Sequence, residues 1–489
     1  APAAAFDSGS TGADGALNPT VNTEIQVPPS GILNYTTVNI PAGVTLKFKK
    51  NALNTPVYLL VSGNVTIAGT IDIRGEDSRF VGTAGDGSLA DDGVPGRGGP
   101  GGYDGGRGGR DDTAQTPEII RGGAGLGPGG GKGGIEGVDG CSNNRYYKYA
   151  GLGGAHATNG SDSFFTAFRC GTSADQAKAY GSAQLQPLLG GSGGGGGRGG
   201  TNYAGSGGGG GGGALLIASS GTIQLAPTGS IDATGGTSGL SGGAGAGSQG
   251  GGGSGGSVRL VATSIAGTGK LYADGGCTYT SPTGKDYCLI TSSSYGYGGA
   301  AGRIRIEAEQ VTFTGTSSPA YSVDTPAPIF LASVPGLRIA SVAGSAVPAN
   351  PTGNADITLP ANITNPVTVN FETTNVPTGN TVLLKVIPAY GNPVEAITPA
   401  IAGTAAAGTA SVQVNLPQGP SVLQASTTYT VVVAMGEALS RFAQNERVEK
   451  VQILATLGGR EPQQARLITV SGKEYTVPMA VLQMVGFTG

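Results

Sequence analysis

The side chains able to do chemistry in this chain of 489 residues are few and scattered. His156 is the only histidine, and its neighbours, Gly153-Gly154-Ala155 before it and Ala157 after it, offer neither a carboxylate nor a nucleophile. A serine or cysteine triad needs a base held by a third group, and His-ligated zinc needs clustered ligands; neither pattern is present, so His156 is expected to be a bystander in a loop. Paired carboxylates stand at Asp91-Asp92 and Asp111-Asp112, each beside a glycine tract. Adjacent residues of an extended chain point in opposite directions, which disfavours concerted acid–base work on a glycosidic bond. The pairs fit solvated turns or a calcium site built from carboxylate and backbone oxygens, so Ca²⁺ is the one candidate cofactor.

Four cysteines, Cys141, Cys170, Cys277 and Cys288, fit no C-x-x-C metal or redox pattern. Four cysteines allow three pairings, and proximity alone favours Cys141–Cys170 and Cys277–Cys288. In an oxidising compartment each bridge would contribute about 3 kcal/mol by restricting the unfolded chain. Tyr146, Tyr147, Tyr149, Tyr279, Tyr287, Tyr295 and Tyr297 lie in the same loops. They could stack on sugars, or cover the rim of a glycine-rich body. The sequence G-x-G-x-x-G recurs, but among 94 glycines it carries no message, and Gly131-Lys132-Gly133 lacks the Ser or Thr of a phosphate-binding loop. N-x-S/T sites occur at Asn34, Asn64, Asn159 and Asn362.

The glycines themselves are ordered by position. Gly93, Gly96, Gly99, Gly102, Gly105 and Gly108 fall at every third residue, and the period returns in 122–140, 190–211, 236–245 and 296–302. Three residues per turn is the repeat of polyproline-II geometry, which makes no internal hydrogen bonds and must find partners outside its own segment. A flexible linker and a collagen triple helix share parts of this pattern, but the tracts are short, interrupted and poor in proline. A bundle of polyglycine-II segments within one chain is the expectation. Runs that are nearly pure glycine, holding Gly193, Gly196, Gly208 and Gly211, should lie at its centre. The tract 93–110, with Arg97, Tyr103, Asp104, Arg107 and Arg110, should lie outside.

A repeat of roughly twenty residues supplies the frame. Segments 57–76, 214–236, 257–276 and 302–316 superpose, each opening on an apolar strand, turning, and entering a second short strand. The insertions 76–213, 236–256 and 276–301 leave and return at one phase, which places them on one side of a β-solenoid. Beyond about residue 326 ordinary strands such as 367–374, 381–390 and 429–436 suggest an immunoglobulin-like or fibronectin-like sandwich. The expected fold is therefore all-β: an N-terminal extension at 1–25, a β-solenoid with polyglycine-II insertions at 26–325, a β-sandwich at 326–436, and a tail at 437–489 with a strand pair. A short helix is expected near 437–444.

Composition narrows the function further. Charged residues make up 12% of the chain and the net charge is −3, so nothing suggests nucleic acid; no apolar run of 18 residues exists to span a membrane. The opening Ala-Pro-Ala-Ala-Ala-Phe has the look of a chain just past a signal-peptidase site, implying an extracellular or cell-surface protein.

The stretch GSTGADGALNPTVNTEIQVPPSGILNYTTVNIPAGVTLKF at 9–48, with VSGNVTIAGTIDIRG at 61–75 and then glycine, resembles exported glycine-rich surface proteins of bacteria. The glycine tracts resemble the polyglycine-II bundles of some phage tail-fibre adhesins and of small glycine-rich antifreeze proteins. These resemblances imply an architecture and transfer no functional residue. The expected function is a non-enzymatic extracellular structural protein, the self-assembling subunit of a surface filament or sheath. Residues 1–20 are expected to add a strand to the C-terminal sandwich of a neighbour. The rivals are a carbohydrate-binding adhesin with glycans as partners, and a β-solenoid polysaccharide-degrading enzyme.

Overall fold

The computed structural model describes residues 6–78, 93–110, 120–134, 150–160, 176–200, 204–239, 249–277, 298–330, 335–348, 356–432, 439–444, 446–456, 464–478 and 482. The chain is all-β. Its one regular helical element among these residues is a single 3-10 turn, Ser440–Phe442, inside the stretch expected to be helical. No helix among the described residues is long and apolar enough to cross a membrane. Two compact units form.

The first unit comprises Ala1–Tyr180, Leu188–Ala327 and Ala389–Asn392. Its strands form two sheets in which every pairing is parallel. One runs Ala16–Leu17, Thr37–Ile40, Val65–Ile67, Ala214–Leu225, Ser257–Gly267, Arg303–Phe313, Ser322–Asp324, with Val57–Val61 also on Ala214–Leu225 and Ile32–Tyr35 beyond it. The other runs Thr23–Gln26, Thr45–Lys49, Thr70–Asp72, Ser230–Asp232, Lys270–Tyr272, Thr316–Ser318. From residue 65 onward the chain adds a strand to the first sheet, turns, and adds the next strand to the second.

Register follows the repeat. Leu33 pairs with Leu59, Leu59 with Ile217, Ile217 with Leu260 and Leu260 with Ile306, so equivalent positions of successive repeats stack rung on rung. In the second sheet Leu46, Ile71, Ile231 and Leu271 form the matching ladder. All of these side chains are buried in one apolar core. β-Branched residues and leucine suit this surface because each side chain packs on its equivalents one strand away. Burying each contributes about 1.5–3 kcal/mol, which holds the rungs in register.

Residues 6–15 run across the rungs rather than along them. The Phe6 amide donates to Glu309 Oε1 (2.8 Å), the Ser8 amide to Ser220 Oγ (3.0 Å), and the Ser8 hydroxyl to the Val61 carbonyl (2.8 Å). The Ser10 hydroxyl donates to the Tyr35 carbonyl, and Asp14 exchanges bonds with Asn34. The extension expected to reach a neighbour is thus seated, over its described residues, on its own unit.

The second unit, Gly181–Pro187, Pro328–Pro388 and Pro393–Gly489, contains a five-stranded and a six-stranded antiparallel sheet. Val369, Phe371, Leu384, Val386, Tyr429, Ile453 and Leu467 lie in its core. The strands of the tail, Val448–Thr456, Gln464–Thr469 and Glu474–Pro478, continue the six-stranded sheet from Ser421–Val432, so the tail completes a sheet of this same unit.

Candidate functional site

The three insertions of the first unit leave after Thr70–Asp72, Ser230–Asp232 and Lys270–Tyr272 and return at Ala214, Ser257 and Arg303. Between those points most of the described backbone lies outside any strand, yet its N–H and C=O groups hydrogen-bond widely to other segments. Segment 190–199 shows how. It hydrogen-bonds to six other segments: 103–109, 120–126, 129–134, 151–155, 205–213 and 249–256. Gly191, Gly194 and Gly197 donate to Gly212, Gly209 and Ser206; Gly193 and Gly196 donate to Leu126 and Gly123; Gly195 donates to Leu152. Successive donors point in three directions about the segment axis, which is what three residues per turn requires.

Two further segments share this environment. Segment 205–213 bonds to 73–78, 93–99, 102–109, 190–199, 235–238 and 249–256. Segment 249–256 bonds to 151–155, 190–199, 205–213, 233–238, 275–277 and 298–302. The nearly pure glycine runs 193–197 and 207–213 are buried throughout. Segment 93–99, by contrast, bonds only to 73–78, 102–109 and 205–213 among the described residues, and Arg97 and Arg110 are exposed. Gly93, Gly96, Gly99, Gly102, Gly105 and Gly108 turn inward from this outer layer and are buried.

Side chains are excluded by contact, not by flexibility. A Cβ on Gly195 would stand 2.1 Å from the Lys132 carbonyl oxygen, and one on Gly253 2.0 Å from that of Gly210. The α-carbon hydrogens point at carbonyls of the next segment, a weak attraction that only glycine permits from both sides. The reversals need left-handed backbone: Gly101 (φ +78°) turns 93–99 into 102–109, and Gly127 (φ +96°) turns 120–126 into 129–134.

Polar side chains bind the outer layer to the sheets. Lys50 donates to Asp104 Oδ1 and to the Gly102 carbonyl, both at 2.9 Å, and Asp104 Oδ1 also accepts from the Gly98 amide (2.8 Å). Asn54 accepts from the Gly101 amide and donates to the Gly102 carbonyl. Asp104 therefore joins the glycine segments to the sheet stack.

Titratable groups gather at two places. On the first sheet Arg259 and Glu307 are fully buried and joined by two hydrogen bonds of 3.0 and 2.9 Å. Arg305 donates to Glu307 Oε1 (2.6 Å) and to Asp324 Oδ2 (2.8 Å), and the Ala327 amide donates to Glu307 Oε2 (2.9 Å). Each Glu307 oxygen accepts two hydrogen bonds, so its lone pairs are filled and none remains to take a proton from a substrate. Asp324 is held below the usual carboxylate range, first by the Thr325 amide and then by Arg305. The cluster is an ion-pair network, and strand alternation, which puts Arg259, Arg305 and Glu307 on the polar face, gave no sign that this face would be covered.

The second place surrounds His156. Sequence reasoning put it in a loop; the ring is 1% exposed and stacked on Tyr180, with centroids 4.9 Å apart. Its Nδ1 lies 2.8 Å from the Gly255 carbonyl, and the Tyr180 hydroxyl donates to Gly190 O and accepts from Ser192 Oγ. Burial, and then the Arg303 guanidinium, lower the imidazole pKa to about 3. No carboxylate bonds to this histidine among the described residues, so it has no third group to orient it as a base.

The remaining expected residues divide sharply. Asp91, Asp92, Asp111, Asp112, Cys141, Cys170, Cys288 and the seven loop tyrosines lie outside the described residues. Cys277 is disulfide-bonded and no described cysteine is free. Among the described residues no group of three His, Cys, Asp or Glu side chains could hold a metal ion. No protein-family model matches the chain, and neither does any curated protein or solved structure.

Proposed function

We propose that this chain is an extracellular structural protein, the self-assembling subunit of a surface filament or sheath. Its first unit is a β-solenoid carrying a polyglycine-II bundle, and its second an immunoglobulin-like sandwich. The observation that carries this reading is the set of three segments, 190–199, 205–213 and 249–256, each hydrogen-bonded to six others. Glycine loses more conformational freedom on ordering than any other residue, so a body of ordered glycine needs lateral bonding throughout. What such a body supplies is stiffness at small cross-section with no side chains spent inside.

The disulfide at Cys277 supports an oxidising compartment. Seating of residues 6–15 on their own unit changes how an N-terminal segment could link subunits. It can serve a neighbour only by leaving this seat, an exchange of identical contacts of the kind seen in domain swapping. Electron microscopy of the purified protein, full-length and lacking residues 1–15, tests the reading. Regular fibres from the full chain and dispersed particles from the truncated one support assembly by exchange; fibres from both place the contacts elsewhere; dispersed full-length particles across concentration and salt overturn the filament.

A further inference from the structure

We propose that His156 is an acid-sensitive lock that fastens segments 150–160 and 176–180 onto the glycine body. Five pieces of chain meet at it. The Ala155 amide donates to the Gly129 carbonyl, the Ser254 hydroxyl donates to the Ala155 carbonyl, and the Ala157 amide donates to the Ala301 carbonyl. The Tyr180 amide donates to the His156 carbonyl, while the ring of Tyr180 covers that of His156.

The imidazole is fixed in one tautomer. A carbonyl only accepts, so Nδ1 carries the proton it shares with Gly255, and Nε2 carries a lone pair. Nε2 is buried and has no hydrogen-bond partner. A second proton would therefore arrive on an atom with no acceptor, in a site closed to water. The charged and titratable groups facing the ring make this worse. Arg303, from strand Arg303–Phe313, donates to the Tyr180 carbonyl at 2.6 Å and reaches the Ala157 carbonyl at 3.5 Å. Segments 249–256 and 298–302 contribute only backbone and the Ser254 hydroxyl. The backbone of Gly255 and Gly256 favours the protonated ring, but burial and the Arg303 guanidinium outweigh it.

The direction of the response follows. The neutral imidazole is favoured in the closed state, and once the segment opens the ring regains its ordinary basicity near pH 6.5. Above that pH the lock is fully engaged. Below it the open form takes up a proton that the closed form refuses, and the opening equilibrium rises towards tenfold per pH unit, about fiftyfold in all between pH 6.5 and 4.5. His156 is the one histidine of the chain, so it is the side chain whose ordinary pKa falls at the top of this window, above the carboxylates.

Amide hydrogen exchange of the full chain at pH 6.5, 5.5 and 4.5, corrected for intrinsic rates, tests the lock against His156→Gln. The expected result is a roughly fiftyfold rise in opening of 151–160 and 177–180 in the wild type and a flat profile in the variant. Equal pH slopes in the two proteins overturn the proposal. If the variant fails to fold, the wild type still decides: its single histidine gives one ring resonance, expected not to titrate between pH 7 and 4.5 while the lattice amides stay protected. A folded-state titration near pH 6.5 overturns the lock.

Discussion

Arg259 presents its guanidinium edge-on to Glu307, with Nε to Oε1 at 3.0 Å and Nη2 to Oε2 at 2.9 Å, and neither side chain touches solvent. In a parallel sheet their strands are neighbours, with Arg259 opposite Arg305 and Glu307 two residues along on the same face. Two like charges side by side are tolerated because one carboxylate serves both. The arrangement makes the three residues unequal.

Glu307→Gln leaves two buried guanidiniums without their shared carboxylate, whereas Arg259→Leu leaves Glu307 still bonded to Arg305. Removing the shared partner is expected to cost about 3–5 kcal/mol, and the Leu substitution distinctly less, because an apolar side chain replaces a desolvated charge. Denaturant unfolding of the two variants checks the order; equal losses would show that the network is not organised around Glu307.

The glycine body makes a positional prediction. Gly195→Ala puts a methyl 2.1 Å from the Lys132 carbonyl oxygen, which already accepts the Leu152 amide, and is expected to cost more than about 4 kcal/mol or to disorder the insertions. At Gly298 the added Cβ finds its nearest atom, the Gly276 carbonyl oxygen, at 3.5 Å. Gly298→Ala should stay within about 0.5 kcal/mol of wild type. Thermal unfolding distinguishes lateral packing from mere glycine richness; similar effects at both sites would remove the distinction.

Tyr429 is 1% exposed in the core of the second unit, and its hydroxyl has no hydrogen-bond partner. Burial pushes its pKa up to about 12. Tyr429→Phe removes an unsatisfied polar group, so it should be neutral or stabilising by about 1 kcal/mol. The unfolded phenol ionises from pH 10 while the folded one does not, so the wild type should lose stability between pH 10 and 12 and the variant should lose less. Unfolding at pH 8 and 11 measures both; a variant less stable at pH 8 would point to a partner for the hydroxyl.

Ser8 links the crossing segment to two rungs through its amide and its hydroxyl. Ser8→Ala deletes the bond to the Val61 carbonyl and is expected to cost about 1–2 kcal/mol, felt first in the exchange of amides near 61–63 and 219–221. A loss confined to residues 6–10 would mean the segment rests on the stack without bracing it.

Much of the frame is legible in the sequence because ladders repeat. Leu59, Ile217, Leu260 and Ile306 occupy equivalent places in the four repeats and are register partners in the sheet. The glycine period is legible for the same reason, since spacing sets which groups point outward and purity sets how many segments can approach. What covers a strand is not periodic. Arg305 and Glu307 alternate with Ile304 and Ile306 as solvent-facing residues would, yet they are buried. His156 is surrounded in sequence by small residues that name no partner; its stack on Tyr180 and its bond to Gly255 join positions far apart along the chain. Asn64 shows the same limit: a glycosylation-type triplet by sequence, it accepts the Thr222 amide at the corner of a neighbouring rung.

The segments at the centre of the glycine body hold together through N–H···O=C bonds and contain almost no carbon to hide from water. Unfolding exposes peptide groups there instead of hydrocarbon, and exposed peptide lowers the heat capacity where exposed hydrocarbon raises it. The first unit should therefore unfold with a heat-capacity increment per residue below that of an ordinary β domain. Its stability curve would be broad and shallow, with resistance to cold gained from the glycine segments that stand beside its apolar core.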